Sequence, residues 1–128
     1  MFGRWRVTES SCPTQCAISR AQAGAWHGRS ALYGDSLVRV GAASCRRPRY
    51  NVEYWPATGT YGGARLKDFG IHADSALVVQ VRCPSQLHGG SDPRWPVWGA
   101  FLIVEDSEHV LVVWEGMFFE LTRVRGAG

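Results

Sequence analysis

Lysine is almost absent from this sequence of 128 residues. Lys67 is the only lysine among fourteen basic residues, and the formal net charge is only +3. A balance this mild is a weak argument for an anionic partner. Nucleic-acid recognition also needs a broad basic face interleaved with aromatic residues, which the pattern does not provide, so we expect no nucleic-acid partner.

Long apolar runs are missing as well. No stretch is long and apolar enough to cross a membrane, and no signal peptide is visible. Met1 stands directly before the first predicted strand, as though an export signal had been replaced by a start codon. The length fits one domain, so we expect residues 1–128 to form a single β-barrel domain with one core, as a monomer.

Signatures of catalysis and of metal binding are the third absence. The four histidines, at positions 27, 72, 88 and 109, belong to no local motif such as G-x-S-x-G, and no carboxylate spacing points to an acid–base pair. There is no C-x-x-C pair for zinc. His109 has the parity of an inward residue near a barrel rim, but we expect no haem or metal ligand there. The prediction is a non-catalytic protein without cofactor or metal.

Alternation of apolar and polar residues is what the sequence has in abundance. The first strand, Phe2 to Glu9, places Trp5 and Glu9 on its apolar face, and the last strand, Met117 to Val124, places Arg123 on one of its faces. If these strands pair, the sheet closes without an exposed edge, and Arg123 lies across the indole of Trp5 as a cation–π contact. Glu9 then either pairs with Arg123 or lies at a solvated strand end.

The remaining segments indicate an all-β protein. Ser19 and Gln22 match a capping box, which predicts a two-turn helix that ends near His27 and is anchored by Trp26. Residues 41–44 are predicted to be a loop. Further short strands are predicted at residues 29–33, 36–40, 49–55, 76–83, 97–105 and 109–114. The fold predicted is a mostly antiparallel barrel of about eight strands with one short helix after the first strand.

This arrangement resembles the calycin superfamily, which comprises the lipocalins, the fatty-acid-binding proteins and the avidins. The resemblance rests on the Gly-x-Trp motif from Gly3 to Trp5 and on Arg123 in the closing strand. It implies a small, lipocalin-like β-barrel that encloses one small ligand or none. The chain is shorter than lipocalins and lacks both their middle-loop motif and the biotin-binding pattern of avidins, so neither ligand is implied.

Four cysteines allow three disulfide pairings. Cys83 shares the apolar face of its strand and Cys45 directly precedes another strand, so we prefer a Cys45–Cys83 bridge, with Cys12–Cys16 closing a small local loop. Two disulfides would indicate an oxidising compartment. The alternative is four reduced cysteines in a cytosolic protein.

A second resemblance spans most of the chain. Its parts are Gly-x-Trp-Arg-Val at 3–7, Trp-x-Gly at 26–28, Cys-Arg-Arg-Pro-Arg-Tyr at 45–50, Val-x-Cys at 81–83 and Trp-Glu-Gly-Met-Phe-Phe-Glu-Leu-Thr-Arg at 114–123. Together they are similar to small exported proteobacterial proteins that are described only as hypothetical. This similarity implies a periplasmic or secreted protein and favours the Cys45–Cys83 bridge, but it implies no activity.

Arginine and tyrosine side chains give two candidate binding groups. Arg46, Arg47 and Arg49 lie around a proline that favours an extended Arg47, and three guanidinium groups at one strand entry suit a phosphate or carboxylate. The alternative is a solvated cluster that protects a sheet edge. Tyr50 and Tyr54 share one face of the strand that follows and are candidate ligand contacts.

The loop from Pro84 to Pro96 is the main candidate for a functional surface, since long irregular loops are usually functional or disordered. Arg94 and Trp95 either plug the barrel end or form a ligand mouth or inhibitory tip near Trp26. The function expected is a binding protein of the bacterial envelope that holds a small apolar or amphipathic ligand. The alternative is an inhibitor or immunity protein whose loops block a cell-wall lytic enzyme.

Overall fold

In the part of the chain that the structure describes, nine strands form a single antiparallel sheet. The computed structural model describes residues 2–12, 19–60, 65–83, 97–114 and 117–125. The elements are β1 (Gly3–Ser11), α1 (Arg20–Gly24), β2 (Ser30–Tyr33), β3 (Leu37–Val40), β4 (Ala43–Arg46), β5 (Arg49–Pro56), a 3₁₀ turn (Leu66–Phe69), β6 (Ser75–Arg82), β7 (Phe101–Val104), β8 (His109–Trp114) and β9 (Met117–Arg123). The predicted all-β, mostly antiparallel class is confirmed, and β4 begins inside a predicted loop.

The sheet curls into a half-barrel with two different seams. Its strand order is β4-β3-β2-β1-β9-β8-β7-β6-β5. β1 and β9 pair, as predicted, and we call this pairing the terminal seam. β4 and β5 follow each other directly in the chain but do not pair, and we call the gap between them the open seam. The expectation that no sheet edge remains is therefore wrong, because β4 and β5 are both edges.

Arg123 stabilises the terminal seam. Its guanidinium carbon lies 4.4 Å from the centre of the Trp5 ring, which is the predicted cation–π contact. Arg123 Nε donates to the carbonyl of Ser107 and Nη1 donates to the carbonyl of Phe2, both at 2.8 Å. A Cβ atom on Gly3 would lie 2.6 Å from Nη1, and Gly3 has a φ of +139°. The Gly-x-Trp motif thus gives the arginine room to reach the indole.

A β-bulge in β1 reverses the orientation of Glu9. Val7 lies opposite Leu121, but Glu9 lies opposite Glu120, so one extra residue is inserted between the two pairs. An insertion of one residue exchanges the faces that the following side chains take. Glu9 is exposed as a result, and its predicted inner-face pair with Arg123 is wrong.

Two apolar clusters lie on opposite faces of the sheet. The inner cluster fills the half-barrel and includes Trp5, Tyr33, Leu102, Phe119 and Leu121. The outer cluster lies where the 3₁₀ turn and the segment after it cover β6, β7 and β8, and it includes Leu66, Ile71, Val78, Ile103 and Leu111. β6 is therefore apolar on both faces.

A disulfide crosses the open seam. Cys45 of β4 is bonded to Cys83, which directly follows β6, and their Cα atoms are 5.8 Å apart. This is the pairing predicted from the sequence. Cys12 is also disulfide-bonded, and the partner predicted for it, Cys16, lies outside the described residues. Within the described ranges, no helix is long and apolar enough to span a membrane.

Candidate ligand site between Trp26 and Trp98

A cleft of about 380 Å³ opens at the end of the half-barrel that lies beneath α1. Its lining is mostly apolar and aromatic, with one cationic side chain. The lining residues are Trp26, Arg29, Val40, Ala42, Ala43, Val97, Trp98 and Trp114. An apolar concavity with few polar groups is the usual form of a small-molecule site. We call it the tryptophan cleft.

The turn of α1 positions Trp26. Ser19 caps the helix: the amide of Gln22 donates to Ser19 Oγ at 3.1 Å, and the amide of Ser19 donates to Gln22 Oε1 at 2.7 Å. This is the predicted capping box, although the helix has five residues rather than two full turns. Ala23 is fully buried beneath it. Hydrogen bonds of 2.9 Å then join residues 28 and 29 to the backbone of Val7 in β1, so the chain returns to the sheet directly after Trp26.

Four side chains form a stack through the cleft. The Arg29 guanidinium lies 4.8 Å from the Trp26 ring centre. Trp26 and Trp98 are parallel, with ring centres 4.2 Å apart and an interplanar angle of 9°. The edge of Trp98 meets Phe119 of β9 at 5.4 Å and 75°. Cation–π and stacked geometries of this kind stabilise the rings in a fixed orientation, so the cleft is formed before any ligand arrives.

Gly99 fixes the position of Trp98. The buried Tyr33 hydroxyl donates to the Gly99 carbonyl at 2.6 Å. A Cβ atom on Gly99 would lie 2.8 Å from the Tyr33 oxygen and 2.9 Å from Val40, and the glycine has a φ of +93°. Burial raises the pKa of Tyr33 far above its ordinary value of 10.0, with a smaller contribution from Tyr50. The hydroxyl therefore remains a donor at any physiological pH.

The indole N–H of Trp98 has no hydrogen-bond partner. Trp98 is only 4% exposed, and among the described residues its Nε1 is the buried side-chain nitrogen or oxygen atom that lacks a partner. Leaving a buried donor unsatisfied costs about 1–3 kcal/mol, and native proteins rarely tolerate it without a reason. The ring of Trp98 lines the cleft, but its Nε1 is itself buried, so a ligand acceptor reaches this donor only if the ring shifts.

The structure brings only part of the predicted site together. Trp26 lines the tryptophan cleft, as its predicted binding role requires. Tyr50 lies elsewhere: its hydroxyl donates to the carbonyl of Gly34 at 2.6 Å, and its ring contacts Phe2. Burial, with a smaller effect of Asp35, raises the pKa of Tyr50 to about 12, so it stays a donor. Tyr54 is 72% exposed on the same strand. The two tyrosines do not line the tryptophan cleft.

Arg94 and Trp95, together with the rest of the loop from 84 to 96, lie outside the described residues. Trp98 is the residue that sequence reasoning missed. It was taken as part of a strand from 97 to 105, whereas the structure begins β7 at Phe101 and forms a turn before it. The signal available in the sequence was the Trp98-Gly99 pair, since glycine marks a turn where a strand had been predicted.

The arginine group lies at the open seam. Arg46, Arg47 and Arg49 are exposed, and the amide of Arg47 donates to the carbonyl of Ser36 at 2.9 Å. Arg47 has a φ of +55°, so the expectation that Pro48 holds it extended is wrong. Anion binding by the three guanidinium groups stays a prediction.

A cluster of carboxyl groups and one histidine surrounds the β7–β8 turn. Burial, the neighbouring Glu120 and Asp106 raise the pKa of Glu105 to about 7, and His109 opposes that shift. His109 Nδ1 lies 3.0 Å from Asp106, and this hydrogen bond raises the pKa of the imidazole. In the part of the chain that the structure describes, no group of three or more His, Cys, Asp or Glu side chains has the arrangement of a metal site.

Comparison with known proteins adds no relative to this picture. No protein-family model, no curated protein and no solved structure matches the chain. Function must therefore be argued from the geometry of the site itself.

Proposed function

We propose that the protein is a non-catalytic binding protein that holds a small amphipathic ligand in the tryptophan cleft. The observation that carries the proposal is the mostly apolar cleft, whose lining includes Trp98 with its buried and unpartnered indole N–H. The ligand supplies an acceptor to that donor once the ring shifts, and the edges of the stacked Trp26 and Trp98 rings, with the apolar residues beside them, contact the rest of the ligand. This meets the two requirements of such a site, which are apolar area and a few placed polar groups.

Arg29 indicates which chemical class of ligand suits the cleft. Among the described residues that line the cleft it is the charged one, and its guanidinium lies against Trp26. A cation at the cleft and a nearby N–H donor both favour an oxygen that carries negative charge. We therefore favour a ligand with an apolar body and a carboxylate or similar acidic head, over a neutral hydrocarbon or an amine.

We also propose that the protein belongs to the bacterial envelope and has a calycin-like architecture. A half-barrel in which the first and last strands pair, with an arginine across a Gly-x-Trp indole, supports the calycin-like relationship. The Cys45–Cys83 bridge supports an oxidising compartment such as the periplasm. The alternative role as an inhibitor depends on the loop from 84 to 96, which lies outside the described residues, and it stays a prediction.

Native mass spectrometry of the protein purified from its own host tests the proposal without a guess at the ligand. We expect added mass on the wild type and none on Trp26→Ala, which removes one wall of the cleft and the ring that packs against Trp98. Trp114→Phe is the matched control, because Trp114 lines the same cleft and the variant keeps an aromatic ring there. Equal added mass on Trp26→Ala would contradict the proposal.

A titration with octanoate then tests the role of the Trp98 donor. We expect the indole N–H resonance of Trp98 to move downfield as the carboxylate accepts its proton, and octylamine, which offers no acceptor, to leave it in place. Trp98→Phe keeps a ring but removes the donor, and should weaken octanoate binding about tenfold. Undiminished binding by Trp98→Phe would remove the donor from the proposal.

A further inference from the structure

The edge of β5 that faces away from β6 carries an unusual set of exposed side chains. Among the described residues, three large apolar side chains are more than half exposed: Phe2 at 52%, Val52 at 56% and Tyr54 at 72%. Phe2 and Val52 line one apolar cleft of about 410 Å³, which also includes Tyr50, and Tyr54 lies on the same face of β5. The exposed apolar groups are thus gathered along one strand rather than scattered, which marks an interaction surface.

The backbone of β5 directs unpaired groups to this edge. The amide of Ala57 donates to the carbonyl of Asp74 at 2.8 Å, one step beyond the last pair of the β5–β6 register. Residues of an antiparallel strand alternate in the neighbour they bond to, so Asn51 and Glu53 bond to β6. The intervening Val52 and Tyr54 direct their N–H and C=O groups away from the sheet, and no other described residue pairs with them.

An independent hydrogen bond gives the same alternation. The amide of Val81 donates to the carbonyl of Ala100 at 2.7 Å, so Val81 bonds towards β7. Its partner across the β5–β6 ladder, Tyr50, is therefore not bonded to β6. Pro56 has the same parity as Tyr50. Proline lacks an N–H, and a strand tolerates it only where the backbone N–H would not have bonded to the neighbouring strand.

β5 has two charged side chains and one proline, but among the described residues it lacks the other devices that usually protect an edge. It has eight residues, no lysine and no bulge in its pairing with β6, whereas the other edge strand, β4, has only four residues. Long, regular and apolar edges invite pairing with another strand. We propose that β5 pairs with β5 of a second copy of this chain, in antiparallel orientation about a two-fold axis at Asn51.

The charges of β5 select this register. With Asn51 opposite itself, Arg49 lies opposite Glu53 twice, once on each side of the axis, and opposite charges at directly facing positions are favourable. An axis at Val52 places Glu53 opposite Asn51 and leaves Arg49 opposite Trp55. An axis at Glu53 brings two carboxylates together. Only the first register pairs both charges of the strand, so the sequence of β5 is complementary to itself, as a two-fold interface requires.

Sedimentation equilibrium of the full chain, from about 1 μM to about 1 mM, measures the association. We expect a reversible monomer–dimer equilibrium, in place of the monomer expected from composition. Val52→Pro removes one outward N–H and leaves the bonds to β6 intact, so it should fold and remain monomeric. The matched control Asn51→Pro removes a bond to β6 and should lose stability instead. A wild-type chain that stays monomeric throughout would overturn the proposal.

Charge exchange tests the register separately from the fold, since Arg49 and Glu53 are both exposed. Arg49→Glu and Glu53→Arg each place like charges opposite each other twice, and each should raise the dimer dissociation constant about tenfold. The double variant restores opposite charges and should return to within about threefold of the wild type. The bond from Trp55 Nε1 to Glu53, at 2.9 Å, is lost in Glu53→Arg and in the double variant alike, so it cannot account for a restoration. Additive weakening in the double variant would overturn this register.

Discussion

The two seams of the half-barrel close the same sheet by different means. At the terminal seam, β1 and β9 pair from Trp5–Arg123 to Ser11–Phe118, and the guanidinium of Arg123 covers Trp5. At the open seam, β4 and β5 are joined by two residues yet share no ladder, and the Cys45–Cys83 bond spans the gap. Backbone pairing over a long register closes the terminal seam, whereas one covalent bond restrains the open seam.

The local chain explains why the open seam does not form a hairpin. The amide of Arg47 is already bonded to the carbonyl of Ser36, and Pro48 has no N–H to donate. The left-handed φ of Arg47 turns the chain at this corner. β5 is therefore directed away from β4. The difference between the seams teaches that sequence neighbours in an antiparallel sheet separate when the turn between them cannot supply its hydrogen bonds.

The largest effect is expected at the terminal seam. Trp5 is 1% exposed, so Trp5→Ala should lower the free energy of unfolding by about 3–5 kcal/mol, because it removes a buried indole and leaves a cavity. Chemical denaturation of both proteins measures the change. A loss below about 1 kcal/mol would mean that Trp5 does not anchor this seam.

A double-mutant cycle tests the contact between Trp5 and Arg123. Arg123→Ala should lower the free energy of unfolding by less than Trp5→Ala does. The loss in the double variant should be smaller than the sum of the two single losses, because both substitutions remove the same contact. Additive losses would show that the cation–π contact contributes nothing.

The open seam should respond to loss of its disulfide. The two cysteines are 38 positions apart in the sequence, and the chain-entropy model gives about 4 kcal/mol for a loop of that length, with native strain able to reduce it. Denaturation of the Cys45→Ala, Cys83→Ala double variant measures this, with thiol titration of the unfolded wild type as the control for bond formation. A variant as stable as the wild type would show that other contacts already hold the seam.

A smaller effect is expected from pH, at the turn that lies beside the terminal seam. Glu105 has a pKa of about 7 in the folded protein, above its ordinary value of 4.5. The folded state thus binds the proton more tightly, so the stability that this group contributes below pH 4.5 is lost as the pH rises through about 7. The raised pKa of His109 acts in the same direction, with stability present below 6.5 and lost above it.

Glu105→Gln separates the two contributions. Its unfolding free energy should equal that of the wild type near pH 4.5 and exceed it by about 1 kcal/mol at pH 8, after allowance for solvent screening of a half-buried carboxyl. Urea denaturation at each pH provides the comparison. A difference that does not change with pH would show that Glu105 titrates normally.

Sequence reasoning succeeded where one local pattern determined the outcome. Alternation predicted the pairing of the terminal strands, Gly-x-Trp predicted the arginine contact, and the Ser19–Gln22 spacing predicted the cap of α1. For Glu9 it left an inner-face pair and a solvated position open, and the structure has Glu9 exposed, because a bulge that the alternation of β1 does not reveal reverses the parity after Val7.

The candidate site was less predictable than the fold. Trp26 was expected to contribute, but its partner Trp98 is brought to it only by long-range packing, and an unsatisfied indole N–H has no sequence signature. The first two residues of β4 fell in a predicted loop, because a strand of four residues is too short to display a clear alternation. Glu105 looked like an ordinary strand end, and its raised pKa depends on burial and on Glu120 from another strand.

Amide hydrogen exchange along β5 and β1, in dilute protein, tests the difference between the seams most directly. The account predicts alternation in β5, where the amides of Asn51 and Glu53 exchange slowly because they bond to β6, while those of Val52 and Tyr54 exchange fast. Successive amides of β1 from Trp5 to Val7 should all be slow, since β1 has a paired strand on each side. Val52 and Tyr54 amides as slow as those of Asn51 and Glu53 in the monomer would contradict the account, because the seam described as open would then be closed.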